Sequence, residues 1–225
     1  MKLRKLKKTD YLMIAANLVP VYGVWFLGWH PLDAFIAYAL ETLLVGGMTV
    51  LKLLIATFYK KKDTWYNGEQ KQEVSGLFFI LFFMVHFGIF VGVQMAIFSG
   101  VAGVVPDGKS SLYFLTHFPT FLTGDVRIML SALLLGYLAQ DILPFVLNNE
   151  YKDTPMIKIM FQPYGRIFVQ QFTVILGSMF LMLGGQMIFV LVFALIKIFF
   201  ELLVNYRAML DSTVLDMQKE AKTKV

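Results

Sequence analysis

Seven polar side chains stand inside long apolar runs of this 225-residue chain: Glu41, Lys52, His86, Gln94, Gln140, Asp141 and Gln171. A carboxylate, an ammonium and an imidazole in apolar surroundings can bind ions or take up and release protons, and amides can hold such groups by donating and accepting at once. Each is costly in hydrocarbon unless paired or wetted, so an ionisable group at that depth is first of all a candidate site. The stretch FFMVHFGIFVGVQMAIF, Phe82 to Phe98, shows the question in miniature, because His86 and Gln94 are its polar residues. They either bond neighbouring helices as ordinary packing contacts, or they line a pathway or pocket with Glu41.

The elements that must position them follow from composition. The chain is 58% hydrophobic, 16% aromatic and 16% charged, with a mean hydropathy of +0.67, which describes a protein solvated by lipid. A helical span takes about 20 mostly apolar residues. Such runs occur at Tyr11–Trp29, Ala34–Phe58, Leu77–Ser99, Val126–Leu147, Ile167–Leu183 and Met187–Val204, followed by a tail over 205–225. The sequence therefore predicts one all-α, polytopic membrane domain of six spans. The last two are divided at Gly184-Gly185, where two glycines permit a tight turn.

Basic residues orient the chain. With both termini on the cytoplasmic side, sixteen of the twenty Lys and Arg fall in cytoplasmic segments; Lys109 and Arg127 lie outside, and Lys52 and Lys197 within spans. This asymmetry favours an N-in, C-in threading. The net charge of +5 is then accounted for by anionic lipid headgroups, and membrane lipids rather than nucleic acid are the expected partners. Trp25 and Trp29 at an outer end, and Tyr59, Trp65, Tyr66, Tyr151, Tyr164 and Tyr206 near inner ends, fit interfacial belts. The basic N-terminal head and first apolar run resemble a signal peptide, but no small-residue cleavage pattern follows, so a retained helix is expected.

Two connections are long. Tyr59–Gly76 reads as a charged, solvated linker. The outer segment from Gly100 to Gly124 contains SSLYFLTHFPTFLTG, too short and too broken by Pro119 to span. An interfacial or re-entrant segment over 111–124 is expected there, with His117 and Phe118 as candidates for a lid over an outward-facing cavity.

Depth sorts the polar residues at ~1.5 Å per helical residue. Glu41 and Gln94 fall in an outer layer, and Lys52, Gln140, Asp141 and Gln171 in an inner one, with His86 between. Eleven residues bring Glu41 and Lys52 back to nearly one helix face but too far apart in height to pair. Asn17 stands beside Pro20 in the first span. Gly88 and Gly92 form a GxxxG pattern that permits close approach of another helix.

These residues also carry a resemblance. NLVPVYGVWFLGW, YALETLLVG with Lys52 beyond it, HFG at His86 and PYGRI at Pro163–Ile167 resemble an uncharacterised family of prokaryotic multi-pass membrane proteins, catalogued as a domain of unknown function. The resemblance runs from about Asn17 to Arg207 and implies an integral protein of a prokaryotic cytoplasmic membrane, without lending an activity. It also implies histidine at the positions of Gln94 and Gln171, where this chain departs, so no metal or haem site of that kind is expected.

Enzyme chemistry finds little footing. Of three histidines in all, His30 and His117 fall at the outer surface and His86 stands alone at depth, and there is no cysteine, so three converging ligands for a catalytic zinc or iron are not expected. An intramembrane serine protease needs a GxSG serine beside a histidine; Leu176-Gly177-Ser178-Met179 lacks the second glycine, and Ser131 is weaker. No phosphate-cradling glycine loop occurs. No cofactor and no metal are expected. By elimination the leading expectation is transport of a small solute or ion through a polar cavity, supported by Pro20 and Pro144 as kinks. A carrier this small is expected to work as a homodimer. The alternative is an accessory or scaffold subunit whose Phe- and Met-rich spans hold lipid, a quinone or a partner helix. A cysteine at Asp107 or Lys109 is expected to react with a membrane-impermeant thiol reagent in intact cells, and one at Asn67 is not; the reverse pattern would overturn the threading.

Overall fold

Helix starts and stops are written into the local sequence. Pro31, whose missing N–H is harmless at a first helical position, opens α2 (Pro31–Lys60) behind His30, and the His30 imidazole Nδ1 accepts from the Leu32 N–H at 3.2 Å. Ser75 caps α3 (Gly76–Ala102) through its hydroxyl, which accepts from Phe78 N–H, and Gly103 ends the helix at φ +64°. Thr123 caps the helix that starts at Gly124 in the same way. The computed structural model describes residues 6, 8–67, 70–165, 167–168 and 186–200.

In chain order the elements are α1 (Lys8–Phe26), α2, strands β1 (Lys62–Asn67) and β2 (Gln70–Ser75), α3, the short α4 (Tyr113–Thr116), a 3-10 turn (Phe118–Phe121) and α5 (Gly124–Tyr137). A π-helical turn (Leu138–Ile142) joins α5 to α6 (Leu143–Leu147); α7 (Glu150–Asp153), α8 (156–165) and α9 (Gln186–Ile198) follow. Among the described residues three helices are long and apolar enough to cross a membrane: Pro31–Lys60, Gly76–Ala102 and the continuous Gly124–Leu147. Asp10–Phe26 and Met187–Ile198 are shorter apolar helices. The expected span 167–183, its Gly184-Gly185 turn, Gln171 and the tail 205–225 lie outside the described residues.

The most buried of the three long helices, α2, packs on α3 along one side and on α5 and α9 along others, while α1 lies against α5 and α9. Trp25 Nε1 donates to Met187 O at 3.2 Å, which sets the last turn of α1 beside the first turn of α9 and makes the two antiparallel. Gly136 lets α1 close on α5: a Cβ there would meet Met13 Sδ at 3.2 Å and Ala16 Cβ at 3.3 Å. Tyr38 stacks on Phe193 at 4.9 Å, joining α2 to α9, and Phe35, Phe79, Phe83, Phe98 and Met129 are fully buried.

Two sequence expectations need correction. The connection read as a solvated linker is an antiparallel hairpin pairing Lys62 with Ser75 through Asn67 with Gln70, so the chain is not purely helical. It has a physical anchor: Trp65 meets Phe78, Phe79 and Phe82 at 5.1, 5.8 and 5.2 Å. Asp63 ties the hairpin to α8 by accepting from Lys60 Nζ and Met156 N–H, and Lys60 also donates to Thr154 O. The first helix ends at Phe26, not Trp29, because the chain turns at Gly28 (φ +73°) and lays the Trp29 ring on Gly23.

The close approach of α2 and α3 rests on Gly46, where an added Cβ would collide with the Phe87 ring, whereas Gly47 has open space. Gly46→Ala is expected to lower the stability of the detergent-solubilised protein by about 1–3 kcal/mol in thermal unfolding. Gly47→Ala is expected to leave it unchanged or to raise it, since alanine favours the helix.

Candidate functional site

Polar residues of α1, α2, α5 and α9 meet in the interior. Glu41 and Lys197 are almost fully buried, at 0% and 2% side-chain exposure, and Lys197 Nζ stands 2.5 Å from Glu41 Oε1. The same carboxylate oxygen accepts from Tyr137 OH at 2.5 Å, and Lys197 also donates to Asn17 Oδ1 at 2.5 Å. Asn17 Nδ2 donates back to Met13 O within α1, and Tyr38 OH donates to Asn17 O at 3.1 Å. The ammonium lies 5.0 Å from the Tyr38 ring centroid, a cation–π distance. One charge from each sign, with donors and acceptors on three further side chains, makes a compact, paired cluster in a low-dielectric interior.

A second cluster sits deeper along α2. Lys52 Nζ donates to Asp141 Oδ1 at 3.3 Å and to Gln162 Oε1 at 2.9 Å, 5.3 Å from the Phe145 ring. Beside it Gln140 Nε2 donates to Asp10 Oδ1 at 2.7 Å. Adjacent residues of a regular helix point about 100° apart, and the π turn that carries Gln140 and Asp141 aims one at α1 and the other at α2. Its origin is Pro144, which has no N–H for the Gln140 carbonyl and whose ring would strike it. The turn is widened instead, with Leu143 N–H reaching Leu138 O.

The expected residues therefore separate into different settings. Glu41 faces the interior, but its partners are Lys197 and Tyr137. Gln94, expected beside Glu41, is fully buried and donates from Nε2 to Thr42 Oγ1, one residue along α2, at 3.1 Å. Gln94 Oε1 and Gln140 Oε1 are buried acceptors with no hydrogen-bond partner among the described residues. Lys52 and Asp141 come together, with Gln140 next to them in the π turn. His86 does not join the column: it is exposed on another flank of α3, with Nδ1 2.7 Å from Tyr164 OH. The outward direction follows from spacing, because Phe83, Phe87 and Val91 take the buried side of α3 and leave His86 off it.

The segment from Gly100 to Gly124 folds as α4 and a 3-10 turn. Its buried residue is Phe114, which packs on Phe98 and Phe121 at 5.2 and 4.7 Å. His117 and Phe118 are exposed, and His117 stacks on Tyr113 at 4.1 Å. Gly88 and Gly92 have nothing within 4 Å of an added Cβ, so their GxxxG face meets no helix among the described residues. Among these residues no three His, Asp or Glu side chains converge to hold a metal.

Several participants escaped the sequence reading. Lys197 lies inside a span, but the depth count sets it ~10 Å further in than Glu41, so depth alone does not pair the two. Asp10 lies in the first turn of α1, where an acid carries no signal beyond favouring the helix N-terminus. Tyr38, Tyr137 and Gln162 had no distinguishing signal, since a tyrosine in an apolar helix reads equally as packing or belt.

A largely helical chain with three membrane-length helices around buried ion pairs is the class that fold and site define. The chain belongs to a family of unknown function (DUF6498), whose profile matches residues 1–221. No curated protein and no solved structure matches it at a significant level.

Removing one member of a buried ion pair strands the other, at a cost of about 3–5 kcal/mol. Lys197→Met is expected to destabilise the solubilised protein by that order, and the double variant Lys197→Met/Glu41→Gln to recover much of the loss. Glu41→Gln is expected to be better tolerated than Glu41→Leu, because the amide oxygen still accepts from Tyr137. Thermal unfolding of the four variants tests this double-mutant comparison.

Proposed function

We propose that the chain crosses a prokaryotic cytoplasmic membrane six times, with both termini inside, and carries a proton or a small solute coupled to one. The observation that carries this reading is the column of ionisable side chains and amides on four packed helices. α1 supplies Asp10 and Asn17, α2 Glu41 and Lys52, α5 and its π turn Tyr137, Gln140 and Asp141, and α9 Lys197. Chains of such groups inside membrane helices are typical of proton relays. The buried acceptors Gln94 Oε1 and Gln140 Oε1 each need a donor, and a water entering the column would supply it. The π turn adds a place where the helix can change its hydrogen-bond register without breaking. Gln171 joins this reading as a candidate by its sequence depth, and His117 and Phe118 as outer gate candidates by their exposure at the end of α3 and α5.

A second reading, an accessory subunit or homodimer, draws on a different feature. A groove of about 260 Å³ between α2 and α3, lined by Leu43, Gly46, Gly47, Phe83, Gly88 and Val91 among others, offers an apolar surface for a lipid or a partner helix. Efficient cross-linking of two copies through a cysteine at Gly88 in the native membrane would favour it.

Vesicles reconstituted with the full chain and an internal pH-sensitive dye test the first reading. Wild-type protein is expected to collapse an imposed pH gradient faster than protein-free vesicles, and Glu41→Gln and Asp141→Asn, shown to be folded by their melting curves, to lose most of the excess. Equal rates with and without wild-type protein would remove proton movement from the proposal.

A further inference from the structure

The flank of α3 turned away from the buried column carries Phe78, Phe82, His86 and Phe90 at four-residue intervals, so they form one row along the helix. Their rings are in register. Trp65 of β1 meets Phe78 edge-on at 5.1 Å, Phe78 stacks on Phe82 at 5.9 Å, and Phe82 stacks on His86 at 5.6 Å with the planes 9° apart. Tyr164 of α8 closes the row, with its hydroxyl 2.7 Å from His86 Nδ1 and its ring 6.2 Å from Phe90. Phe78 and His86 are exposed and Phe82, Phe90 and Tyr164 half-buried, so the row is an open aromatic shelf.

Hydrogen-bond counting defines what the shelf takes. If Tyr164 OH donates to Nδ1, the neutral imidazole carries its proton on Nε2 and presents that N–H as a donor. If Nδ1–H donates to Tyr164, the phenol proton is free to be given instead. In either tautomer the dyad retains one donor, and the wall around it is aromatic. The matching ligand is an apolar molecule with an acceptor oxygen on a flat ring. Depth narrows the source, on the reading of α3 as a membrane span. His86 is three residues from the middle of Gly76–Ala102, ~5 Å along the axis, which leaves roughly 10 Å to the nearer edge of a hydrocarbon core about 30 Å thick. Phospholipid ester carbonyls belong at that edge. A quinone, whose ring and tail both enter the hydrocarbon, brings a carbonyl oxygen to the required depth.

We propose that this shelf binds the ring of a membrane quinone, with one carbonyl oxygen accepting from the His86–Tyr164 dyad and the ring lying against Phe82 and Phe90. The site is separate from the ion-pair column and does not depend on transport.

The full chain in lipid nanodiscs, titrated with a short-tailed ubiquinone analogue, tests the assignment. Quenching of tryptophan emission is expected to saturate, because Trp65 stands at the foot of the row, and one of the three histidine side-chain resonances is expected to shift along the same curve. The double variant His86→Ala/Tyr164→Phe, which removes both donors, is expected to raise the midpoint about tenfold, the equivalent of one lost hydrogen bond, and each single variant, which keeps one donor, by less. Glu41→Gln is expected to bind as the wild type does, which separates this site from the column. Quenching that rises without saturation, a midpoint unchanged in the double variant, or the same histidine shift produced by decanol would each overturn the proposal.

Discussion

A lysine in the interior of an apolar bundle has to be neutralised where it stands, and the packing of α9 against its neighbours answers to that requirement. Lys197 donates to Glu41 of α2 and Asn17 of α1, and Glu41 also accepts from Tyr137 of α5. Four helices are thus fixed in height and rotation around one charge. Apolar contacts alone fix them less tightly, because a stripe of Leu, Val and Phe can slide by a turn with little loss, whereas a displaced ammonium loses its partners together. The stacking of Tyr38 on Phe193 and the close contact of Gly136 with α1 lie in the same layers and are compatible only with that register.

The inner pair depends on a local departure from helical geometry. A straight continuation of α5 would turn Gln140 and Asp141 by ordinary steps and would also drive Pro144 into the Gln140 carbonyl. Widening the turn removes the clash and sends the two side chains to Asp10 and Lys52. A residue that reads as a simple kink thereby acts as a positioning device, coupling the backbone of α5 to two other helices. The hairpin and α8 support the same end of the bundle, since Gln162 takes a second Lys52 hydrogen bond and Asp63 holds the start of α8.

Legibility in the sequence followed the strength of the physical signal. Long apolar runs made α2, α3 and α5 with α6 plain, and the depth argument placed Lys52, Gln140 and Asp141 together. The hairpin was missed because its charged residues suggested solvent, although Asn67-Gly68 is a strong turn signal and Trp65 needed a surface to cover. Glu41 was rightly expected inside, but its partner was sought on the sequence neighbour α3. Long-range pairing with α9 is set by tertiary packing, which no local pattern encodes. His86 was misplaced for a related reason: depth can be counted along a helix, while the direction a side chain faces depends on which neighbours are present.

The signs of the charges add a constraint that neither pair supplies alone. Along α2 the order from its N-terminal end is acid then base, Glu41 then Lys52; the facing charges run base then acid, Lys197 then Asp141. Sliding α2 by one layer toward its C-terminal end would set Glu41 against Asp141, and sliding it the other way would set Lys52 against Lys197. Both shifts oppose like charges in a medium that screens them poorly, so misregistered bundles are penalised twice, once by lost partners and again by repulsion. The net worth of a buried pair in stability is often small compared with an apolar replacement. Its worth in choosing among alternative packings is larger here, because the apolar surfaces that surround these four charges distinguish those packings so weakly.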